Sequence, residues 1–138
     1  PLAGREGLAF LGSYGHPPNR DAIATFLEQI WPQLQQRLPA LRLHLYGSGL
    51  TRDLAEIWSS VAGVQVEGWI ADPATLYARH RLFVAPLRSG AGIKGKVLAA
   101  AAHGLPQVLS PIAAESTGRP QGLELMREAL GRLQLPCR

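Results

Sequence analysis

Short apolar runs recur along the chain and indicate β-strands. They cover residues 8–12, 41–46, 64–69, 82–86 and 106–109. Buried strands typically read as short apolar runs between turn-forming residues. The pattern therefore predicts five short strands.

Helical spacing fills the stretches between these runs. The longest helix is predicted over residues 21–38, with Asp21 as its N-cap, because apolar residues recur there on one helical face. The members of that face are Ile23, Phe26, Leu27, Ile30 and Leu34. Shorter helices are predicted over residues 51–60, 73–79, 95–103 and 123–133.

The alternation of strands and helices predicts a parallel sheet, because a parallel crossover needs an intervening helix. The expected fold class is α/β, a doubly wound Rossmann-like parallel sheet of about five or six strands with helices on both faces. In the usual strand order, 3-2-1-4-5, the first and fourth strands are neighbours. Ligands of such folds bind at this switch point, beyond the carboxyl ends of the strands.

The loops after the first and fourth predicted strands are rich in glycine. The first covers residues 12–16, and the second covers residues 89–96, which include Lys94 and Lys96, the only lysines of the chain. Glycines let backbone amides approach an anion closely, and the helix predicted from Gly95 directs its N-terminal amides to the same place. The two loops therefore predict a site for a small anionic ligand.

Composition and charge place the chain among globular proteins. It has 138 residues, of which 46% are hydrophobic and 17% charged, and no apolar run approaches the length of a membrane span. The net charge is +4, but the arginines form no basic stripe, so nucleic-acid binding is not expected. Cys137 is the only cysteine, which excludes a disulfide framework and indicates a reducing, cytoplasmic compartment.

Several catalytic motifs are incomplete. Residues 90–96 have the G-x-x-x-x-G-K spacing of a P-loop, but Val97 stands where a hydroxyl would hold magnesium. The four histidines are scattered without metal-ligand spacing, and no serine lies in a nucleophile elbow. A P-loop NTPase, a metal site and acyl transfer are therefore not expected.

Four further residues border the predicted crevice, and each has an alternative interpretation. His16 lies in the first glycine loop and is either a ligand contact or a solvated turn residue. Trp69 ends the third predicted strand and Ile70 follows it, where an aromatic ring either meets a nucleobase or packs within the fold. Glu115 follows the fifth strand and either reaches the crevice or is a solvated loop residue.

Several segments in order carry a family resemblance. They read FLGSYGHPPNRDA, LHLYGSG, VEGWIAD, LFVAPLRSGAGIKGKVLAAAAHGLPQV and PIAAE. Together they resemble the C-terminal domain of retaining glycosyltransferases of the GT-B type, family four. The resemblance extends over residues 8–115.

This resemblance implies that residues 1–138 form a single domain that binds a nucleoside diphosphate sugar. The chain begins without Met, and we expect it to be the C-terminal half of a two-domain enzyme whose N-terminal acceptor domain is absent. The acceptor, a glycan or a lipid-linked molecule, would be held by that domain. The implied setting is bacterial polysaccharide biosynthesis in the cytoplasm, including the inner face of the membrane, without cofactor or metal.

The resemblance also implies roles for individual residues. Arg88 and Lys94 would be catalytic, because cations stabilise the negative charge that develops on a departing diphosphate. Gly12 and Ser13 would face that diphosphate. The resemblance and the loop positions together give the remaining expected substrate contacts, which are His16, Trp69, Ile70, Gly90, Gly92, Ile93, Lys96 and Glu115.

The chain departs from the family pattern at acidic and basic positions. Ala91 and Ala99 stand where such enzymes commonly carry glutamates, and Ser13 stands where an arginine is usual. Two alternative functions therefore remain open. One is a degenerate, non-catalytic binding module, and the other is half of a sugar-nucleotide epimerase with the same architecture.

Overall fold

A computed structural model describes residues 4–90 and 95–114 of the chain. Its sheet has five parallel strands in the order β3-β2-β1-β4-β5. The strands are β1 Leu8–Leu11, β2 Leu43–Tyr46, β3 Val64–Gly68, β4 Leu82–Ala85 and β5 Gln107–Leu109. The predicted fold class and strand order are confirmed, and each observed strand lies within a predicted run.

Six helices connect or follow these strands in the described part of the chain. They are α1 Pro17–Gln29, α2 Trp31–Arg37, α3 Arg52–Ser59, α4 Pro73–Arg79, α5 Gly95–Ala102 and α6 Pro111–Ala114. The helices predicted over residues 51–60, 73–79 and 95–103 are confirmed, with ends that differ by at most one residue. The helix predicted over residues 123–133 lies outside the described residues.

Two apolar clusters cover the two faces of the sheet. Alternate residues of a strand point to opposite faces, so Leu8 and Phe10 of β1 join one cluster while Ala9 joins the other. The first cluster contains side chains of α1, α2 and α3, and the second contains side chains of α4, α5 and α6. The sheet is therefore doubly wound, and the change of face falls between β1 and β4.

The prediction of one helix over residues 21–38 is wrong. α1 begins at Pro17, because a proline fits the first helical turn, whose amides have no intrahelical partner. α2 starts after Ile30 and carries Pro32 in its own first turn, where a continuous helix would need the missing amide. Asp21 consequently lies inside α1 and is not its N-cap, which is His16.

Side-chain caps fix the starts of the next two helices. Thr51 Oγ1 accepts a hydrogen bond of 3.2 Å from the Leu54 amide at the start of α3. Asp72 Oδ1 accepts one of 3.0 Å from the Ala74 amide at the start of α4. Both helices begin just beyond the carboxyl ends of strands, so the caps also set the loops that border the crevice.

Candidate functional site

The loops at the carboxyl ends of β1, β2 and β3 are joined by backbone hydrogen bonds. The Gly12 amide donates to the Tyr46 carbonyl at 3.2 Å, and the Gly47 amide donates to the Gly68 carbonyl at 2.8 Å. The Tyr14 amide continues the series to the Ser48 carbonyl at 2.9 Å. These bonds therefore continue the pairing of the strands into the loops at the carboxyl edge of the sheet.

Glycines allow the first two loops to touch. Gly47 has a φ of +129°, and a Cβ there would lie 1.7 Å from the Gly12 carbonyl oxygen. Gly49 has a φ of +86°, and its Cβ would lie 2.9 Å from the Gly15 nitrogen. No side chain fits at position 47 without a backbone shift, so the path of the β1 loop depends on glycine in the β2 loop.

Tyr14 anchors the β1 loop from inside. Its ring is fully buried and meets Trp58 edge to face, with ring centroids 5.6 Å apart. Its hydroxyl donates to the Tyr46 carbonyl at 2.9 Å, and Arg20 donates to the Tyr14 carbonyl. Burial raises the pKa of the Tyr14 hydroxyl, which therefore stays protonated as a donor.

Asn19 connects the β1 loop to α5. Its side chain is only 4% exposed, and its Nδ2 donates to the Ser13 carbonyl at 2.7 Å. Its Oδ1 accepts a hydrogen bond of 3.1 Å from Lys96 Nζ, 77 positions along the chain. One side-chain amide thus joins the β1 loop to the helix that follows β4.

The amine of Lys96 lies directly over Gly12. A Cβ on Gly12 would be 3.0 Å from Lys96 Nζ and 2.9 Å from Asn19 Cγ, so only glycine leaves room for these two groups. The same amine lies 5.2 Å from the centroid of the Phe10 ring, within cation–π range. A cation from α5 is therefore held against the end of β1.

Arg88 bridges the β4 loop and α1. Its Nε and Nη2 donate to the two carboxylate oxygens of Asp21, at 2.9 and 2.6 Å. The hydrogen bond from Arg88 lowers the pKa of Asp21, against an opposing effect of desolvation and with a further contribution from the charge of Arg88. The pair is exposed to solvent, so it contributes little to stability and stays accessible to a competing anion.

The loop after β3 presents an exposed aromatic ring. Trp69 is 73% exposed, whereas Ile70 packs against the second apolar cluster. The loop reaches α4 through Asp72, which caps that helix. The ring is thus offered to solvent at the carboxyl edge, where sequence analysis predicted a contact for a nucleobase.

The remaining predicted site residues fall into two groups. His16 is exposed and precedes α1 without a side-chain cap hydrogen bond, and Gly90 is exposed with a φ of +114°. The others, Gly92, Ile93, Lys94 and Glu115, lie outside the described residues. The structure therefore brings Gly12, Ser13 and Lys96 together, and places Arg88 and Trp69 on other parts of the same edge.

Sequence reasoning missed Asn19 and Asp21. Asn19 supplies both a donor and an acceptor to the β1 loop and α5, and Asp21 binds Arg88. Their partners lie on elements that meet only in the folded chain. The one local signal was their place in the first turns of a helix that a proline pair opens beside a glycine loop, with Asn19 directly after the prolines and Asp21 two residues later.

His80, directly after α4, is the centre of a cluster of polar side chains. His80 is 1% exposed, its Nδ1 donates to the Glu6 carbonyl at 2.9 Å, and Tyr46 donates its hydroxyl proton to His80 Nε2 at 2.6 Å. The carbonyl can only accept, so the neutral ring carries its proton on Nδ1. Burial lowers the pKa of His80 to about 4. His44, to which sequence analysis assigned no role, stacks on His80 and contacts Glu67 at 3.0 Å.

The described ranges lack two features. Residues 4–90 and 95–114 hold no group of three or more His, Cys, Asp or Glu side chains arranged to bind a metal ion. Among the helices of those same ranges, none has the length and apolar character needed to cross a membrane.

The architecture is a doubly wound α/β domain whose candidate site lies at the switch point between β1 and β4. Residues 5–128 match the model of the family described as glycosyl transferases group 1, and the chain therefore belongs to that family. The family match confirms the resemblance to glycosyltransferases. No curated protein sequence matches the chain.

Solved structures of TarM share this fold. A point mutant of TarM from S. aureus, in complex with fondaparinux, α-GlcNAc-glycerol and UDP, has a TM-score of 0.77 and 16% identity, covering 94% of this chain. Another TarM structure has a TM-score of 0.76 and 17% identity, covering 96% of this chain. The chain spans only 28% and 29% of these TarM chains.

Proposed function

We propose that this chain is the donor-binding domain of a two-domain glycosyltransferase of the GT-B type. It binds a nucleoside diphosphate sugar at the carboxyl edge of the sheet, and a second domain holds the acceptor. Family membership supports the reaction class, and the UDP in the TarM complex supports the ligand class. The chain spans 28% of a TarM chain, which supports its being one part of a larger enzyme.

The observation that carries the proposal is the Lys96 amine over Gly12. This contact joins the loop after β1 to the helix after β4 at the switch point, where doubly wound folds bind nucleotides. The missing side chain of Gly12 leaves room for a cation against the loop, and a diphosphate group needs a cation held in such a place. The diphosphate therefore lies between the β1 loop and the start of α5.

Positive groups on the β4 side supply the catalytic effect. As the bond between the sugar and the diphosphate breaks, negative charge grows on the leaving diphosphate. Arg88 and Lys94 stabilise that charge, and the amides of Gly90, Gly92 and Ile93 line the same side of the donor. This role needs neither a side-chain nucleophile nor a metal ion.

The nucleobase end of the donor lies at the loop after β3. Trp69 offers an exposed ring there, and the backbone around Ile70 borders it. His16 and Glu115 are further contacts of the proposed crevice. The proposal also includes retention of anomeric configuration and membership of family four. It further includes a glycan or lipid-linked acceptor, a role in bacterial polysaccharide synthesis and a cytoplasmic location.

Calorimetric titration of the chain with UDP, GDP and ADP tests the donor site. We expect one nucleotide to bind with a Kd between about 1 µM and 1 mM, and Arg88→Ala and Lys94→Ala to weaken it. Arg37→Ala is the matched control, since Arg37 is exposed in the last turn of α2 and lies far along the chain from both glycine loops. Absence of binding by folded protein would refute the donor site.

A degenerate binding module is the second candidate, and Ala99 favours it. α5 reads GKVLAAAA, so its described residues carry no carboxylate that could bind a ribose hydroxyl. Ala99→Glu distinguishes the two functions. A large gain in nucleotide affinity would indicate a site that has lost an essential group, whereas little change would indicate a site complete without it.

A further inference from the structure

We propose that Asn19 is a positioning residue that fixes the Lys96 amine over Gly12 for contact with an anionic diphosphate. The inference rests on the proposed donor site, and it assigns a function to a buried side chain that makes no contact with the donor itself.

The two bonds of Asn19 require an amide. The Ser13 carbonyl can only accept a hydrogen bond, so Nδ2 must face it, and the Lys96 ammonium can only donate, so Oδ1 must face it. Aspartate has the same shape but no donor, and it would place a carboxylate against the Ser13 carbonyl. Glutamine is one methylene longer and does not fit in the space around Asn19, which is only 4% exposed.

The amine needs such a partner because a lysine side chain is long and flexible. Ordering one in a single position costs rotamer entropy, more than for most other side chains. In the folded chain the Lys96 amine is already ordered before a ligand binds. It is held by Asn19, by the Phe10 ring and in the space that Gly12 leaves without a side chain. A ligand anion therefore meets an amine that is already in place.

The same amide also holds the β1 loop in shape. The side-chain Nδ2 donates to the Ser13 carbonyl, and the backbone N–H of Asn19 donates to the His16 carbonyl at 3.0 Å. The loop that would face the diphosphate and the cation from α5 are thus set by one residue. Loss of the Asn19 side chain should impair recognition of phosphate more than recognition of the base.

The test compares a nucleoside diphosphate with its parent nucleoside, using calorimetry for the first and saturation-transfer NMR for the second. We expect Asn19→Asp and Asn19→Ala to lower the affinity for the nucleoside diphosphate about tenfold or more, which corresponds to about 1.4 kcal/mol. The affinity for the nucleoside should change less than about twofold. The aspartate would pair with Lys96 and neutralise it. Equal losses for both ligands, or unchanged diphosphate binding, would overturn the inference.

Gln35→Glu is the matched control. Gln35 Nε2 donates to the Leu41 carbonyl at 2.7 Å, so the same change from amide to carboxylate is made at a half-buried bond outside the glycine loops. We expect both affinities to remain at their wild-type values. An equal loss of diphosphate binding in this variant would show a general effect of added charge.

An NMR measurement separates this inference from the donor proposal. The chain has only two lysines, so a Lys94→Arg variant assigns the ammonium signals. We expect the Lys96 ammonium to show a resolved signal with an Overhauser contact to the Gly12 Cα protons, and to lose both in Asn19→Ala. Failure of every nucleotide to bind would refute the donor proposal alone, whereas a mobile Lys96 in the unchanged chain would refute the positioning role.

Discussion

Arg88 and Asp21, 67 positions apart, form a two-pronged ion pair across the switch point of the sheet. The pair ties the β4 loop to α1 beside the proposed diphosphate site. Arg88 therefore has a carboxylate partner in the ligand-free chain, and a diphosphate would have to compete with Asp21 for the guanidinium. At the proposed donor site, we therefore expect Asp21 to lower donor affinity.

Replacing Asp21 should strengthen donor binding. We expect Asp21→Asn to tighten nucleoside diphosphate binding by about three- to tenfold at low salt, because it removes a nearby negative charge and releases Arg88. The effect should shrink as salt is added. Glu56→Gln, at an exposed acid of α3, is the control and should leave the affinity unchanged. Weaker binding by Asp21→Asn would mean that the ion pair instead holds Arg88 in a productive position.

Replacing Gly47 should destabilise the domain strongly. In Gly47→Ala the new Cβ would lie 1.7 Å from the Gly12 carbonyl oxygen, so two hydrogen-bonded loops must separate. We expect a loss of about 3 kcal/mol or more in the free energy of unfolding, measured by urea denaturation. Gly104→Ala is the matched control, because Gly104 also has a positive φ but no atom within 4 Å of its Cβ position. It should cost only about 1–2 kcal/mol, the conformational penalty alone.

Acid should destabilise the domain through His80. Its pKa is lowered to about 4 by burial, with the charges of His44 and Arg79 adding to the effect and the Glu6 carbonyl and Glu67 opposing it. The unfolded chain then binds the proton more readily, so this stability is complete above about pH 6.5 and is lost as the pH falls towards 4. We expect the loss to be about 1–2 kcal/mol.

The pH slope of unfolding identifies the contribution of His80. His80→Gln should flatten the stability curve between about pH 6.5 and 4.5, whatever its effect on absolute stability. His16→Gln changes an exposed histidine and should leave the slope as it is. A slope that survives in His80→Gln would assign the acid sensitivity to other groups.

Trp69 should report donor binding by its fluorescence. It is 73% exposed, whereas Trp31 and Trp58 are 1% and 3% exposed, so acrylamide should quench Trp69 almost alone. We expect a bound nucleoside diphosphate to reduce that quenching by about half or more, because a stacked base shields the ring. Inorganic pyrophosphate has no base and serves as the control ligand. Equal protection by both ligands would place the base elsewhere.

The sheet was predictable because its signals are local. Each strand is an apolar run, Thr51 and Asp72 precede their helices, and the alternation of elements gives the strand order through a general rule of doubly wound folds. The helix over residues 21–38 failed as a prediction because apolar spacing continued through Pro32. Periodicity records which side chains face the core, and it does not register a missing backbone donor.

The site was less predictable because its contacts join distant parts of the chain. The glycine loops indicated the edge at which the structure places Lys96 over Gly12, and Lys96 was among the expected residues. The roles of Asn19 and Asp21 depend on Lys96 and Arg88, which reach α1 only after β4 is laid beside β1. No pattern within one segment carries that information.

The contact between Gly47 and Gly12 sets the shape of the proposed site from behind it. Position 47 belongs to a loop that need not touch a donor, yet any side chain there would displace the carbonyl that ends β1 and, with it, the surface under the Lys96 amine. A change of donor preference could therefore arise from a substitution behind the crevice, and redesign of this domain should treat residues 12 and 47 as one unit.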